Sequence, residues 1–330
     1  MPRALRACFP SLPRSLSRRT AAASFARIEL NSVQHSPQSR PLDPLAIALT
    51  VALCLIWGFN QVAVKLAIHD IPPLIQSTVR SITATILVAA WVWFRGIPLF
   101  KRDGTLAAGV FAGVLFALEF LLIYRGLLYT TATRAVLFLY IAPFFVALGA
   151  RWFVKGDHFH LMQWVGMAMS FAGIAIAFGL PTPAADPHQM LGDLMMVAAA
   201  IAWAATTLVI KVSRLNQISV EKTLLYQLIV SIPLLAAGAL VFGEHIDTTP
   251  SAMAIGALAY QAVWVVCVTY MAWFALIVRY SASRLSSFTF LTPLFGVVAG
   301  HVVLNEPLSP PFALAVALVA IGLVLVNRPR

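Results

Sequence analysis

Arg80 and Glu119 are the two ionisable residues set deepest in the long apolar runs of this chain. At the level of a bilayer a charged side chain costs roughly 3 kcal/mol or more, so such residues face a partner or a water-filled cavity. At 1.5 Å per helical residue, Arg80 lies ~10–12 Å from the start of its run and Glu119 as far from the end of its own, which antiparallel neighbours bring to one depth, within the reach of an ion pair. Two roles are open to them: substrate or proton handling, with Glu119 as the proton carrier, or a static tie between helices. Asn60 and Thr206 are polar groups in apolar segments, each three residues after a tryptophan, Trp57 and Trp203. In hydrocarbon they need partners, either a substrate on its pathway or a neighbouring helix. The tryptophans serve as cavity wall or as packing anchors. Tyr140, Tyr226, Gln227 and Tyr270 are weaker pathway candidates of the same kind.

No catalytic constellation accompanies them, and no catalytic residue, metal or cofactor is expected. There is no Gly-Lys-Ser/Thr phosphate loop, which argues against transport driven by ATP within this chain. His158 and His160 beside Asp157 are too few for a metal site and are read as a loop. Cys8, Cys54 and Cys267 show no ligand or redox spacing, and the latter two are read as small buried hydrophobes. An enzyme acting on lipids or isoprenoids would cluster Asp, Glu or His at a membrane face, whereas the 12 acidic residues here are scattered. A membrane scaffold or sensor is a third class.

The elements that hold these residues are membrane spans. Only 11% of the residues are charged and 60% are hydrophobic, against about a quarter charged in soluble domains. The apolar residues fall in runs of about 20, the length of a helix crossing hydrocarbon. They lack the polar stripe of a soluble helix and the alternation of a β-barrel. Ten spans are predicted, at 45–65, 73–94, 106–127, 131–150, 161–180, 191–211, 224–243, 256–278, 284–303 and 309–327. Ahead of them, residues 1–43 hold seven arginines against Glu29 and Asp43. This segment is a basic, disordered tail, with a transit peptide as the alternative reading.

The net charge of +11 lies between and beside the runs rather than in a basic soluble domain, which excludes nucleic acid as a partner. With the N-terminus in the cytoplasm, 19 of the 23 lysines and arginines fall on cytoplasmic segments. Only Lys65, Arg125 and Arg134 fall outside, and Arg80 lies within a span. That is the bias of the positive-inside rule, and ten spans return the C-terminus to the cytoplasm.

Self-comparison exposes a repeat. Trp57 and Lys65 of the first span are eight apart, as are Trp203 and Lys211 of the sixth, at an offset of 146. Ala132-Thr-Arg134 stands ahead of Pro143 as Ala282-Ser-Arg284 stands ahead of Pro293, at an offset of 150. Five helices per unit force the second copy to sit upside down, an arrangement of secondary transporters with the substrate site where the repeats meet. The repeats are 44–180 and 181–330. Lys65 and Lys211, at span ends, are read as interfacial anchors. Gly166, Gly173, Gly296 and Gly300 are read as close helix contacts.

Trp57-Gly58-x-Asn60 with Lys65, Arg80, and Pro293 with Asn305-Glu306-Pro307 resemble the drug/metabolite transporter superfamily, in its EamA-type branch. The likeness runs over about residues 44–328. It departs at Gly156, the first-half counterpart of Glu306, where the acidic residue is the adjacent Asp157. The resemblance implies an all-α membrane protein of ten helices in two inverted five-helix repeats, with the fifth and tenth peripheral. It implies a carrier of small metabolites, amino acids or their relatives, working outward across a bacterial inner membrane. The partners expected are a small-molecule substrate and the lipid bilayer, with a homodimer left open.

Overall fold

The computed structural model describes residues 42–68, 70–179, 187–305, 307–308 and 310–328. The basic tail through residue 41, the proline-rich link at 180–186 and Glu306 lie outside the described residues. Among the described residues, nine helices are long and apolar enough to cross a membrane: α1 Pro44–Ile68, α2 Pro73–Arg95, α3 Leu106–Gly126, α4 Arg134–Phe153, α5 Leu161–Phe178, α6 Pro187–Val212, α7 Val220–Val241, α8 Ala252–Arg279 and α9 Ala282–Leu304. The tenth, α10 Phe312–Asn327, is apolar and shorter, at 16 residues. Their ends are set by ordinary local chemistry. The turns before α4, α7, α8 and α9 each supply a Ser or Thr whose hydroxyl caps the helix that follows.

Alternation of the helices shows in the polar contacts between loops. Asp70, between α1 and α2, accepts a hydrogen bond from the Ser251 amide between α7 and α8 at 2.8 Å. Glu244 of the latter loop accepts from the Leu74 and Ile75 amides that open α2, at 2.9 and 3.0 Å. Thr130, between α3 and α4, bonds Asp193 near the start of α6 at 2.6 Å. On the other side, Lys222 at the start of α7 meets Asp103 ahead of α3 at 2.7 Å. Tyr280 after α8 meets Asp43 ahead of α1 at 2.5 Å. Asp157, between α4 and α5, accepts from Ser281 Oγ at 2.6 Å and the Ala282 amide at 2.8 Å, capping α9. Each contact joins loops that alternation places at the same membrane face.

Packing repeats under the exchange of α1–α5 with α6–α10. The pair α1 and α9 is matched by α6 and α4, and α1 with α8 by α6 with α3. The pairs α2–α7 and α5–α10 map onto themselves. These are the contacts of two five-helix repeats related by a pseudo-two-fold axis, the inverted arrangement. The α5–α10 pair is antiparallel and very close. A Cβ on Gly166 would stand 2.6 Å from the Gly322 carbonyl oxygen, and one on Gly322 2.4 Å from that of Gly166. Small residues permit this approach where no hydrophobic drive operates between helices.

Two helices are interrupted at equivalent points. The α4 segment runs as Ala132–Leu139 and resumes as Ala142–Phe153. In α9, Ala282–Ser287 passes through a 3₁₀ turn, Phe288–Phe290, into Leu291–Leu304. Pro143 and Pro293 explain both, since neither has an N–H for the carbonyl four residues back, Leu139 and Thr289. In α8 the stretch Gln261–Tyr270 is a π-helix. Irregularities of this sort recur at functional sites.

Candidate functional site

The interrupted helices border a cavity of about 980 Å³, open space at its mouth included. Helix α1 contributes Trp57, Asn60 and Gln61, and its counterpart α6 contributes Trp203, Thr206, Thr207 and Ile210. The breaks in α4 and α9 present Leu139, Tyr140 and Ala142 from one repeat, Thr289 and Thr292 from the other. Glu119 and Phe116 come from α3, Gln227 from α7, and Val265, Tyr270, Trp273 and Phe274 from α8. Eight of the ten residues expected on the pathway thus meet at one cavity, drawn from both repeats. Helices α5 and α10 contribute no wall.

The wall is aromatic with sparse polar points. Trp57 packs edge-on against Trp273, with centroids 5.4 Å apart, while Trp203 stacks on the same ring at 5.8 Å and 26°. The tryptophans that mark the repeat therefore clasp a third one from α8. Trp57 Nε1 donates to Thr269 Oγ1 at 2.7 Å, fixing its ring. Asn60 Oδ1 and Gln227 Nε2 are buried with no hydrogen-bond partner among the described residues. Thr206 bonds back to the Ala202 carbonyl at 2.9 Å within its own helix, the usual satisfaction of a helical threonine. Among the described residues Glu119 is the only carboxylate on the wall, and it is buried.

Two candidates lie elsewhere. Tyr226 is not on the cavity. Its hydroxyl is 3.2 Å from Thr105 Oγ1, and its ring fills the space at Gly109, where a Cβ would come within 2.4 Å. Arg80 is buried behind the wall, with its guanidinium 4.5 Å from the Phe120 ring centroid. The Arg80–Glu119 ion pair that their depths allow is not among the ion pairs of the described residues, which join other partners.

Lys211 also departs from expectation. It is buried rather than snorkelling, and its ammonium donates to the carbonyls of Ile277 at 2.7 Å and Tyr280 at 2.6 Å, closing the end of α8. The buried pair Arg134–Asp193, joined by two guanidinium nitrogens, went unread in the sequence. Its signal was available: an arginine and an aspartate at the same ends of two spans in opposite repeats.

If the cavity admits water, Asn60→Cys and Thr206→Cys, each made with the native cysteines replaced, should react with small water-soluble thiol reagents. Inertness of both in folded protein would assign these positions to packing alone.

The family model described as "EamA-like transporter family" matches the chain twice, over residues 44–179 and 190–328. The "probable amino-acid metabolite efflux pump" of Escherichia coli (strain K12) is 27% identical over 289 residues, spanning 84% of this chain and 93% of that protein. An "uncharacterized transporter" of Archaeoglobus fulgidus is 28% identical over 280 residues, spanning 82% and 92%. A solved crystal structure superposes with a TM-score of 0.72 at 18% identity, covering 85% of this chain and 96% of the other, a likeness of fold.

Proposed function

This chain belongs to the EamA-like transporter family, and from that premise we propose that it is a secondary carrier of small amino-acid-like metabolites, exporting them by alternating access. The observation that carries the reading is the cavity, walled in similar measure by equivalent helices of two inverted repeats. Repeats that exchange roles about a pseudo-two-fold axis supply two mirror-related states, open to opposite faces. The mixture of aromatic faces, amide groups and one carboxylate suits a small molecule with both apolar and hydrogen-bonding parts. The relative named as a probable amino-acid metabolite efflux pump supports the substrate class. The reading is tested by comparing cells with and without the protein for amino acids released to the medium and for resistance to toxic amino-acid analogues. Identical release and resistance across the panel would reject it.

The location belonging to this reading is a bacterial inner membrane, with both termini in the cytoplasm, as the distribution of lysine and arginine favours. Reporter fusions after Asp70, Pro187 and Asp247 should then report the outside, and fusions after Arg102, Lys155 and Arg214 the cytoplasm. Two or more reporters on the wrong side would overturn the orientation.

A further inference from the structure

We propose that Arg80 anchors an anion subsite beside the cavity that takes the carboxylate of the transported molecule, an inference that rests on reading the cavity as a substrate site. Arg80 is 1% exposed, and its Nε and Nη2 have no hydrogen-bond partner among the described residues. Its neighbour is the face of Phe120, which attracts the charge but leaves the in-plane N–H groups unmet. A guanidinium keeps its charge in a protein, so a buried one without a counter-charge is a standing cost that an anion relieves.

The surroundings are rich in donors. Ser77 lies three residues before Arg80 on the same face of α2, with Ser81 one residue after Arg80 and about 100° round the helix, and both hydroxyls are buried with no hydrogen-bond partner among the described residues. A helical side chain leans toward the helix N-terminus, which carries the guanidinium to the turn holding Gln76 and Ser77. There Gln261 Nε2 of α8 donates to Gln76 Oε1 at 3.1 Å, fixing the adjoining wall. Two guanidinium donors with the Ser77 hydroxyl beside them match the paired oxygens of a carboxylate, which a planar fork holds with two parallel bonds. The subsite adjoins the cavity, because Phe120, against which the guanidinium lies, packs with its ring 5.0 Å from that of Phe116, a residue of the wall.

The test uses the full chain in nanodiscs and three probes that share a phenyl ring: L-phenylalanine, 2-phenylethylamine with the ammonium alone, and 3-phenylpropanoate with the carboxylate alone. Binding is read from the tryptophan fluorescence of the cavity. Arg80→Gln should raise the dissociation constants of the two carboxylates about tenfold or more, the scale of a lost charged hydrogen bond, and leave that of phenylethylamine unchanged. Unchanged constants for all three in Arg80→Gln would overturn the subsite and leave the cavity reading intact. No binding of any probe to the wild-type chain would remove the cavity reading, and the subsite with it. If Arg80→Gln aggregates, Ser77→Ala carries the same expectation, a loss confined to the two carboxylates. Equal affinities in that variant would reject the proposal.

Discussion

Glu119→Gln is expected to yield folded protein that binds its ligand yet no longer moves it in response to a pH gradient. Among the described residues Glu119 is the only carboxylate on the cavity wall, and it stands without a direct ion-pair partner there. The amide keeps the shape and one acceptor oxygen of the acid, so packing is preserved. What it loses is the capacity to take up and release a proton at a surface that alternating access would expose to each side in turn. Two measurements on reconstituted vesicles separate coupling from passage. Exchange of substrate at equal pH on both sides should survive in Glu119→Gln. Uptake driven by a pH difference should fall to the level of protein-free vesicles. If the variant retains the wild-type dependence on the pH difference, Glu119 is a wall residue and the proton travels elsewhere. If exchange is lost as well, the carboxylate is needed to hold the substrate.

The ten spans were legible because the bilayer imposes a length: about 20 apolar residues per crossing leaves little room for another reading. The inverted repeat was legible because Trp57/Lys65 and Trp203/Lys211 keep one spacing and an odd helix count reverses the second copy. Which face of each helix looks inward was far less legible. In a soluble helix the polar stripe marks the outside, but in a bilayer the lipid-facing side is as apolar as the core. Tyr226 and Gln227 are adjacent in α7 and read alike, yet only Gln227 reaches the cavity. The π-helix of α8 adds to the difficulty, since counting at 3.6 residues per turn misplaces side chains beyond Gln261. Thr269 and Trp273, which position Trp57, were overlooked for that reason. Lys211 deceived in another way. A lysine at a span end reads as snorkelling, and only the tertiary fold shows the carbonyls of Ile277 and Tyr280 arriving at its ammonium. Arg134 and Asp193 are 59 residues apart, and neither is informative until α4 and α6 are packed together.

That pair carries the second large effect. Asp193 receives Thr130 Oγ1 at 2.6 Å and Arg134 Nε at 3.0 Å, besides the Arg134 Nη2 contact, so both of its oxygens are engaged. The side chains are 8% and 9% exposed. Asp193→Ala would leave the guanidinium and a hydroxyl facing a space shaped for a carboxylate. Breaking one side of a fully buried pair costs ~3–5 kcal/mol. Here the pair sits near the starts of α4 and α6, toward the membrane face, so about 2–3 kcal/mol is the expected loss, between the buried and exposed limits. Asp193→Asn should lose less, since an amide oxygen still accepts from Thr130. Removing both charges, as in Arg134→Leu with Asp193→Leu, should recover much of the difference, because no uncompensated charge remains. The three variants are ranked by melting of the detergent-solubilised protein, with the order Asp193→Ala lowest, then Asp193→Asn, then the double variant. A double variant no more stable than Asp193→Ala would mean that packing and the other contacts of Arg134, rather than charge balance, hold α4 to α6.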